Sequence, residues 1–195
     1  MKYIKKFENK NLGSFIKTVK DAKELATKAH HGVKRRGGEP YIIHPESVAK
    51  IVHDVKSSKE IASLIAAAYL HDTVEDTDIT LDEIREKFGE LVMSLVSELT
   101  NNDEKLKMLG KEEYLIDKML NMSSWALVIK LADRLHNLKD FEKIMLGDND
   151  KAKKWVNNYA KQTKSIIDNL KWYRKLSSTQ KVLVNRIKKG IKPYI

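Results

Sequence analysis

The sequence predicts an all-α fold, a helical bundle with a metal site at its centre. Apolar residues recur three and four apart along most of the chain, strand-like alternation never extends beyond a few residues, and 195 residues include only 8 Gly and 3 Pro. Histidines and carboxylates also gather at the end of the most apolar segment. With 42% hydrophobic and 33% charged residues, the chain is neither disordered nor fibrous, and its length suits a single domain spanning 1–195 with an ample core. The absence of cysteine excludes a disulfide scaffold, a thiolate zinc site and thiol catalysis, so any metal must be held by His and carboxylate.

Ser14 is the expected N-cap of a first helix running to about His31, with Phe15, Val19, Ala22, Leu25, Ala26 and Ala29 on one stripe and Gly32 as its stop. Two glycines and a proline in Val33–Pro40 forbid regular helix there and bring Lys34, Arg35 and Arg36 together in a compact loop. A second helix is expected from about Pro45, a residue suited to a first turn, to Val55. The third, from about Lys59 to His71 or Asp72, is Ala-rich, apolar on most sides and therefore central. Thr80 and Glu83 form a capping box for a short helix ending near Gly89, followed by a helix over Leu91–Leu99 and a break at Asn101-Asn102. Helix is then expected from Lys105 to Met122 with an interruption at Gly110, as one long helix from Ser124 to about Leu146, and as two basic helices after Gly147.

Charge is concentrated at one end. Residues 151–195 hold 13 Lys and Arg against one acid, Asp168, whereas the first 150 hold 24 cations against 26 acids, within a net of +10. Such a surface can meet phosphates, but Trp155, Tyr159, Ile166, Ile167, Leu170 and Tyr173 recur at helical spacing. The expectation is therefore that helices over about 148–195 pack on a core of about 14–175, with nucleic acid an unlikely partner. The opening MKYIKKFENK has no apolar stretch behind it, and no run approaches the roughly 20 residues of a membrane helix. A cytoplasmic protein is expected, with no membrane partner; oligomeric state is not legible.

Of six histidines, His71 differs from the rest because it is followed by Asp72, Thr73, Val74, Glu75 and Asp76 at the end of the most buried helix. Placing these groups there is costly without partners, and a divalent cation is the economical explanation. If the helix continues, Glu75 lies about 40° around the axis from His71, and Asp76 about 40° from Asp72. Imidazole with carboxylate suits Mn²⁺, Fe²⁺ or Zn²⁺ with open positions. His-Asp pairs also arise by chance, so a metal-free reading stays open on this pair alone. Asp133, Asn137 and Asp140 share a stripe beside Val128, Leu131, Leu135 and Leu138, from which a carboxylate can reach inward or simply form a hydrogen-bonded surface row.

RRGGEPYIIHP at 35–45, HDTVEDT at 71–77 and KLADRLHNLKD at 130–140 closely resemble the HD-superfamily hydrolase domain of the RelA/SpoT proteins and its small stand-alone relatives of the Mesh1 type. The resemblance implies a single HD-domain bundle in which His44, His71, Asp72 and Asp133 hold one divalent ion, most plausibly Mn²⁺. It implies Glu75 and Asp76 as the catalytic acidic pair, Arg35 and Arg36 as the substrate loop, and Asn137 as a nucleotide contact. The implied activity is hydrolysis of the 3′-diphosphate of guanosine alarmones, ppGpp to GDP and pppGpp to GTP, each with release of pyrophosphate. The alternative on the same scaffold is a metal-dependent phosphatase acting on another phosphorylated nucleotide. Asp140 stands where the long bifunctional enzymes commonly carry Thr, and a chain of this length is expected to lack their synthetase and regulatory domains. His30, His31, His53 and His136 have no matching ligand role, and the sequence does not divide proton handling between Glu75 and Asp76.

Overall fold

The computed structural model describes residues 2–36, 38–147 and 149–195, with side chains from Leu12 onward. Gly37 of the cationic loop and Asp148, at the expected start of the basic segment, lie outside the described residues, as do the side chains of the opening segment. Described residues form α-helices joined by short turns; their only β pairing is an isolated bridge between Lys34 and Pro40.

Helix α1 (Lys2–Ala29) is followed by the cationic loop, α2 (Ile43–Val55) and α3 (Ile61–Leu70). Ser14 is not the N-cap: α1 begins twelve residues earlier and passes through Ser14 on an exposed face. The segment before it is rich in Lys and contains no Pro to stop propagation. Gly32, at φ 79°, ends the turn after α1. Ala22 and Ala26 are the buried side of α1, and their small size lets it lie close against α3. Helix α3 buries Leu64, Ile65, Ala66, Ala67, Ala68 and Leu70 and packs against α1, α2, α6 and α9, which makes it the central element.

Helix α3 stops at Leu70, close to the expected end at His71 or Asp72, and after a turn over those two residues Thr73–Asp76 form a separate single turn, α4. Local side-chain bonds compete with the helix ladder here: the Thr73 hydroxyl donates to Leu70 O at 2.8 Å and His71 Nδ1 lies 2.9 Å from Ala68 O. Thr80 and Glu83 close the capping box of α5 (Leu81–Phe88), and Gly89 leads into α6 (Glu90–Leu99). Asn102 caps α7 (Asp103–Leu109), and Gly110 separates it from α8 (Lys111–Asn121).

The long helix expected over 124–146 is broken. Helix α9 (Ser124–Asn137) ends in a tight turn, with i−3 bonds from Lys139 N to His136 O and from Phe141 N to Leu138 O, before α10 (Asp140–Leu146). Gly190 allows α12 to approach this corner, since a Cβ there would sit 2.8 Å from Leu138 Cδ1.

Helices α11 (Asp150–Tyr173) and α12 (Ser178–Ile191), with a closing 3₁₀ turn over Lys192–Tyr194, pack on α8 and α9 respectively. Buried Phe141 meets Trp155, Tyr159 and Tyr194 edge-on, with ring centroids 6.0, 5.6 and 5.1 Å away. Tyr173 departs from the expected stripe: it is 70% exposed and Trp172 is 82% exposed. The helix ends there because Arg174 turns back to donate to Met119 O and Leu120 O at 3.0 and 2.9 Å, satisfying carbonyls at the end of α8. Among described residues, no helix is long and apolar enough to cross a membrane.

Removing residues 151–195 would uncover the faces of α8 and α9 and expose Phe141. The truncated chain should aggregate or lose its cooperative melting transition, measured by circular dichroism and gel filtration; a stable 1–150 fragment would contradict this packing role.

Candidate metal centre and active site

Four ionisable side chains from separate segments meet at the middle of the bundle. His44 comes from the first turn of α2, His71 and Asp72 from the corner after α3, and Asp133 from the last turn of α9. Ligand atoms of His44, His71 and Asp133 all lie within 4.8 Å of one another. His44 Nε2 is 3.2 Å from Asp133 Oδ1 and 3.6 Å from Asp72 Oδ2. His71 Nε2 is 3.0 Å from Asp72 Oδ2 and 4.0 Å from Asp133 Oδ1. His44, His71 and Asp133 are buried and Asp72 is half-buried.

His71 tests whether this set fits a cation. Its Nδ1–H donates to the Ala68 carbonyl, so Nε2 is the nitrogen that faces the cluster and carries the lone pair when the ring is neutral; burial opposes charge on the ring, and Asp72 outweighs it, raising the His71 pKa. That nitrogen is buried without a hydrogen-bond partner and faces carboxylate oxygens that also offer only lone pairs. A divalent cation supplies the electron-pair acceptor that His71 Nε2 lacks. Two imidazoles and two carboxylates form a hard, mixed N/O set, so the residues fit a metal ion.

Surrounding bonds set the protonation states. His44 Nδ1 lies 2.8 Å from His136 Nδ1, so one of the two nitrogens carries a proton and the other accepts it. Burial, then the neighbouring His44 and Arg35, push His136 down to about 4, leaving it neutral and suited to accept from His44. That bond leaves the His44 Nε2 lone pair free for a ligand. Burial opposes ionisation of Asp133, but Lys130, with Nζ 2.9 Å from Oδ2, holds it well below the usual carboxylate range. Burial likewise opposes charge on Lys130, and Asp133 and Asp72 outweigh it, raising the ammonium pKa. Asp72 is also lowered, its burial outweighed chiefly by His71. The Tyr41 hydroxyl donates to Asp72 Oδ2 at 2.6 Å; burial and Asp72 raise the phenol, which remains a donor.

Glu75 and Asp76 follow on α4. The Tyr41 hydroxyl is also 3.2 Å from Asp76 Oδ2, and partial burial followed by the Asp72 charge raises the Asp76 pKa. The Glu75 carboxylate rests on Asn101, whose Nδ2 donates to Oε1 at 2.7 Å and whose backbone N–H donates to Oε2 at 3.3 Å.

The cationic loop is tied to the far wall. Arg35, with a side chain only 9% exposed, donates to Asp140 Oδ2 from Nη2 at 2.6 Å and Nε at 3.2 Å, and to Asn137 Oδ1 at 3.0 Å. Asn137 passes the link on, its Nδ2 donating to Asp133 Oδ1 at 2.8 Å. Glu39 accepts from Lys143 at 2.9 Å, and exposed Arg36 lies 4.6 Å over the Trp155 ring. Arg35 and Asn137 thus adjoin the cluster, whereas Arg36 is turned outward onto α11. Asp140, where the long bifunctional enzymes commonly carry Thr, holds Arg35.

Sequence reasoning assigned no site role to Lys130 or His136, and left Tyr41 between lining the pocket and packing beside Pro40. Lys130 carried a legible signal, its i,i+3 spacing to Asp133, but His136 sits beside His44 through a contact between residues 92 apart. Tyr41, packed on His30 with ring centroids 4.5 Å apart, reaches Asp72 across 31 positions. His31 and His53 are exposed.

The helical bundle draws two His and two Asp into its centre, and the model of the HD domain family matches residues 22–170. The chain belongs to the HD-domain family. Within it, the chain is 38% identical over 134 residues to the human guanosine-3′,5′-bis(diphosphate) 3′-pyrophosphohydrolase MESH1, covering 68% of this chain and 74% of that protein. It is 39% identical over 130 residues to the guanosine-3′,5′-bis(diphosphate) 3′-pyrophosphohydrolase of Aquifex aeolicus, over 62% of this chain and 17% of that one. A solved structure described as a metazoan ortholog of SpoT that hydrolyzes ppGpp superposes with a TM-score of 0.69 at 26% identity, over 90% of this chain and 96% of that one.

Replacing His71 or Asp72 by Ala removes a donor atom from the cluster. Each variant should purify with less than about a tenth of the divalent metal of the parent protein, the scale of a lost ligand, as read by elemental analysis; unchanged metal content would place the ion elsewhere.

Proposed function

We propose that this chain hydrolyses the 3′-diphosphate of ppGpp, giving GDP and pyrophosphate, and that of pppGpp, giving GTP and pyrophosphate. One divalent ion, Mn²⁺, held by His44, His71, Asp72 and Asp133 completes the enzyme. The observation that carries the reading is the unpartnered, buried His71 Nε2 facing Asp72, with two further carboxylates on the next turn and an arginine loop on the opposite wall. Likeness to two pyrophosphohydrolases named for this substrate supports it.

When bound, the cation offsets the charge of the phosphoryl group and acidifies water. The rest falls to the protein. Water adds to the phosphorus that bears the ribose 3′ oxygen, that P–O bond breaks, and the 3′ oxygen leaves with a proton. Glu75, its carboxylate aimed by two N–H donors, suits the group that orients and deprotonates the water. Asp76, whose pKa is raised by burial and by Asp72, suits the group that delivers a proton to the leaving oxygen. Arg35 offers a plane that can stack on a purine while Asp140 holds its edge. Asn137, beside Arg35 and Asp133, is placed to read a nucleotide, and Arg36 adds positive charge at the loop. A nucleotide this highly charged does not cross a bilayer unaided, which supports a cytoplasmic setting.

Purified protein supplied with Mn²⁺ should convert ppGpp to GDP and pyrophosphate, identified by ion-exchange chromatography; a panel of other phosphorylated nucleotides turned over faster would redirect the assignment. Glu75→Gln and Asp76→Asn should keep their metal and lose about 10²–10⁴-fold in turnover, and normal rates in both would exclude this acidic pair. Arg35→Ala should chiefly raise KM, since it removes a binding surface and leaves the proton-handling groups in place. A fall in kcat at constant KM would argue against that role.

A further inference from the structure

Glu75 does not hold its own orientation. Its carboxylate rests on Asn101, in the turn between α6 and α7, through the side-chain Nδ2 at 2.7 Å and the backbone N–H at 3.3 Å. An amide side chain can present either its oxygen or its nitrogen, and only the nitrogen attracts a carboxylate. What decides between them is on α8. Lys118 Nζ donates to Asn101 Oδ1 at 2.8 Å, and to the carbonyls of Leu99 at 2.7 Å and Thr100 at 2.9 Å. All three ammonium protons are thereby used. Tyr114, one turn earlier on α8, accepts from Asn102 N at 2.7 Å and pins the other end of the same turn.

We propose that Lys118 and Asn101 are positioning residues for the hydrolytic reaction: Lys118 fixes the polarity of the Asn101 amide, and Asn101 aims the Glu75 carboxylate. This rests on the reading of Glu75 given above. Without the ammonium, Asn101 is free to rotate its amide by half a turn and set Oδ1 against Glu75, where two acceptors repel. The carboxylate then swings away from the acting position while the cation cluster and the Arg35 wall are untouched. The effect should therefore fall on kcat and spare both KM and metal content.

The test uses the full chain with Mn²⁺ and ppGpp. Lys118→Met should lower kcat about 10- to 100-fold, the scale of a lost hydrogen bond to a charged group, with KM and bound metal near those of the parent. Lys118→Arg, which restores a cationic donor, should recover part of the loss. Asn101→Ala should lower kcat to a similar extent, and the Lys118→Met/Asn101→Ala double variant should be no worse than Asn101→Ala alone, because the two act in series. Parental kcat in Lys118→Met, or losses that add fully in the double variant, would overturn the proposal. If Lys118→Met melts early, Asn101→Ala decides, since it leaves the lysine's bonds to Leu99 and Thr100 intact; parental turnover there overturns it too. Glu75→Gln is assayed in parallel: if it is inactive while Lys118→Met and Asn101→Ala are normal, only the positioning inference fails, whereas an active Glu75→Gln removes the reading of Glu75 and the inference with it.

Discussion

Two carboxylates at the centre of a helical bundle set the terms for the rest of this structure. Asp133 is buried and Asp72 half-buried, and neither could stay ionised in such surroundings alone. The chain answers with surrounding groups: Lys130 and Asn137 on Asp133, Tyr41 on Asp72, and two imidazoles whose Nε2 atoms face the carboxylates. Charge is offset only in part, and the remaining concentration of donor atoms is what makes the centre fit for a cation. His136 belongs to the same solution, because a neutral acceptor at its Nδ1 fixes which His44 nitrogen faces inward.

The geometry of that centre depends on two places where helix stops. The turn at His71 and Asp72 brings both side chains to His44 and Asp133, and α4 keeps Asp76 on the side of Asp72, where the Tyr41 hydroxyl meets both, while Glu75 reaches Asn101. The corner at Leu138 and Lys139 has a parallel effect, ending α9 at Asn137 and starting α10 with Asp140, so that both meet Arg35. Each corner follows a motif residue by one or two positions, and the polar groups freed from the helix ladder do the linking.

Polar contacts tie the cationic loop to the bundle. Arg35, Arg36 and Glu39 each reach a different partner on α10 or α11: Asp140, Trp155 and Lys143. Basic helices at the end of the chain therefore have a part in the site. Their apolar faces cover α8 and α9, and Trp155 and Tyr159 lie against the loop and Asn137.

The helices, the Thr80 capping box, the breaks at Gly32, Gly89, Gly110 and Asn102, and the three motifs that mark the HD-domain family were legible in the sequence, because periodicity, capping and turn chemistry act over four or five residues. Ser14 misled for the same reason, since a local cap signal has no force inside a segment that already propagates as helix. Tertiary structure alone decided that Tyr41 would hold Asp72, that His136 would meet His44, that Asp140 would hold Arg35, and that Lys118 would reach Asn101 and through it Glu75. These pairs lie 31, 92, 105 and 17 positions apart. A hydrogen bond between side chains that distant leaves no trace in spacing or composition. Its distance and direction come into being only when helices pack and their corners turn.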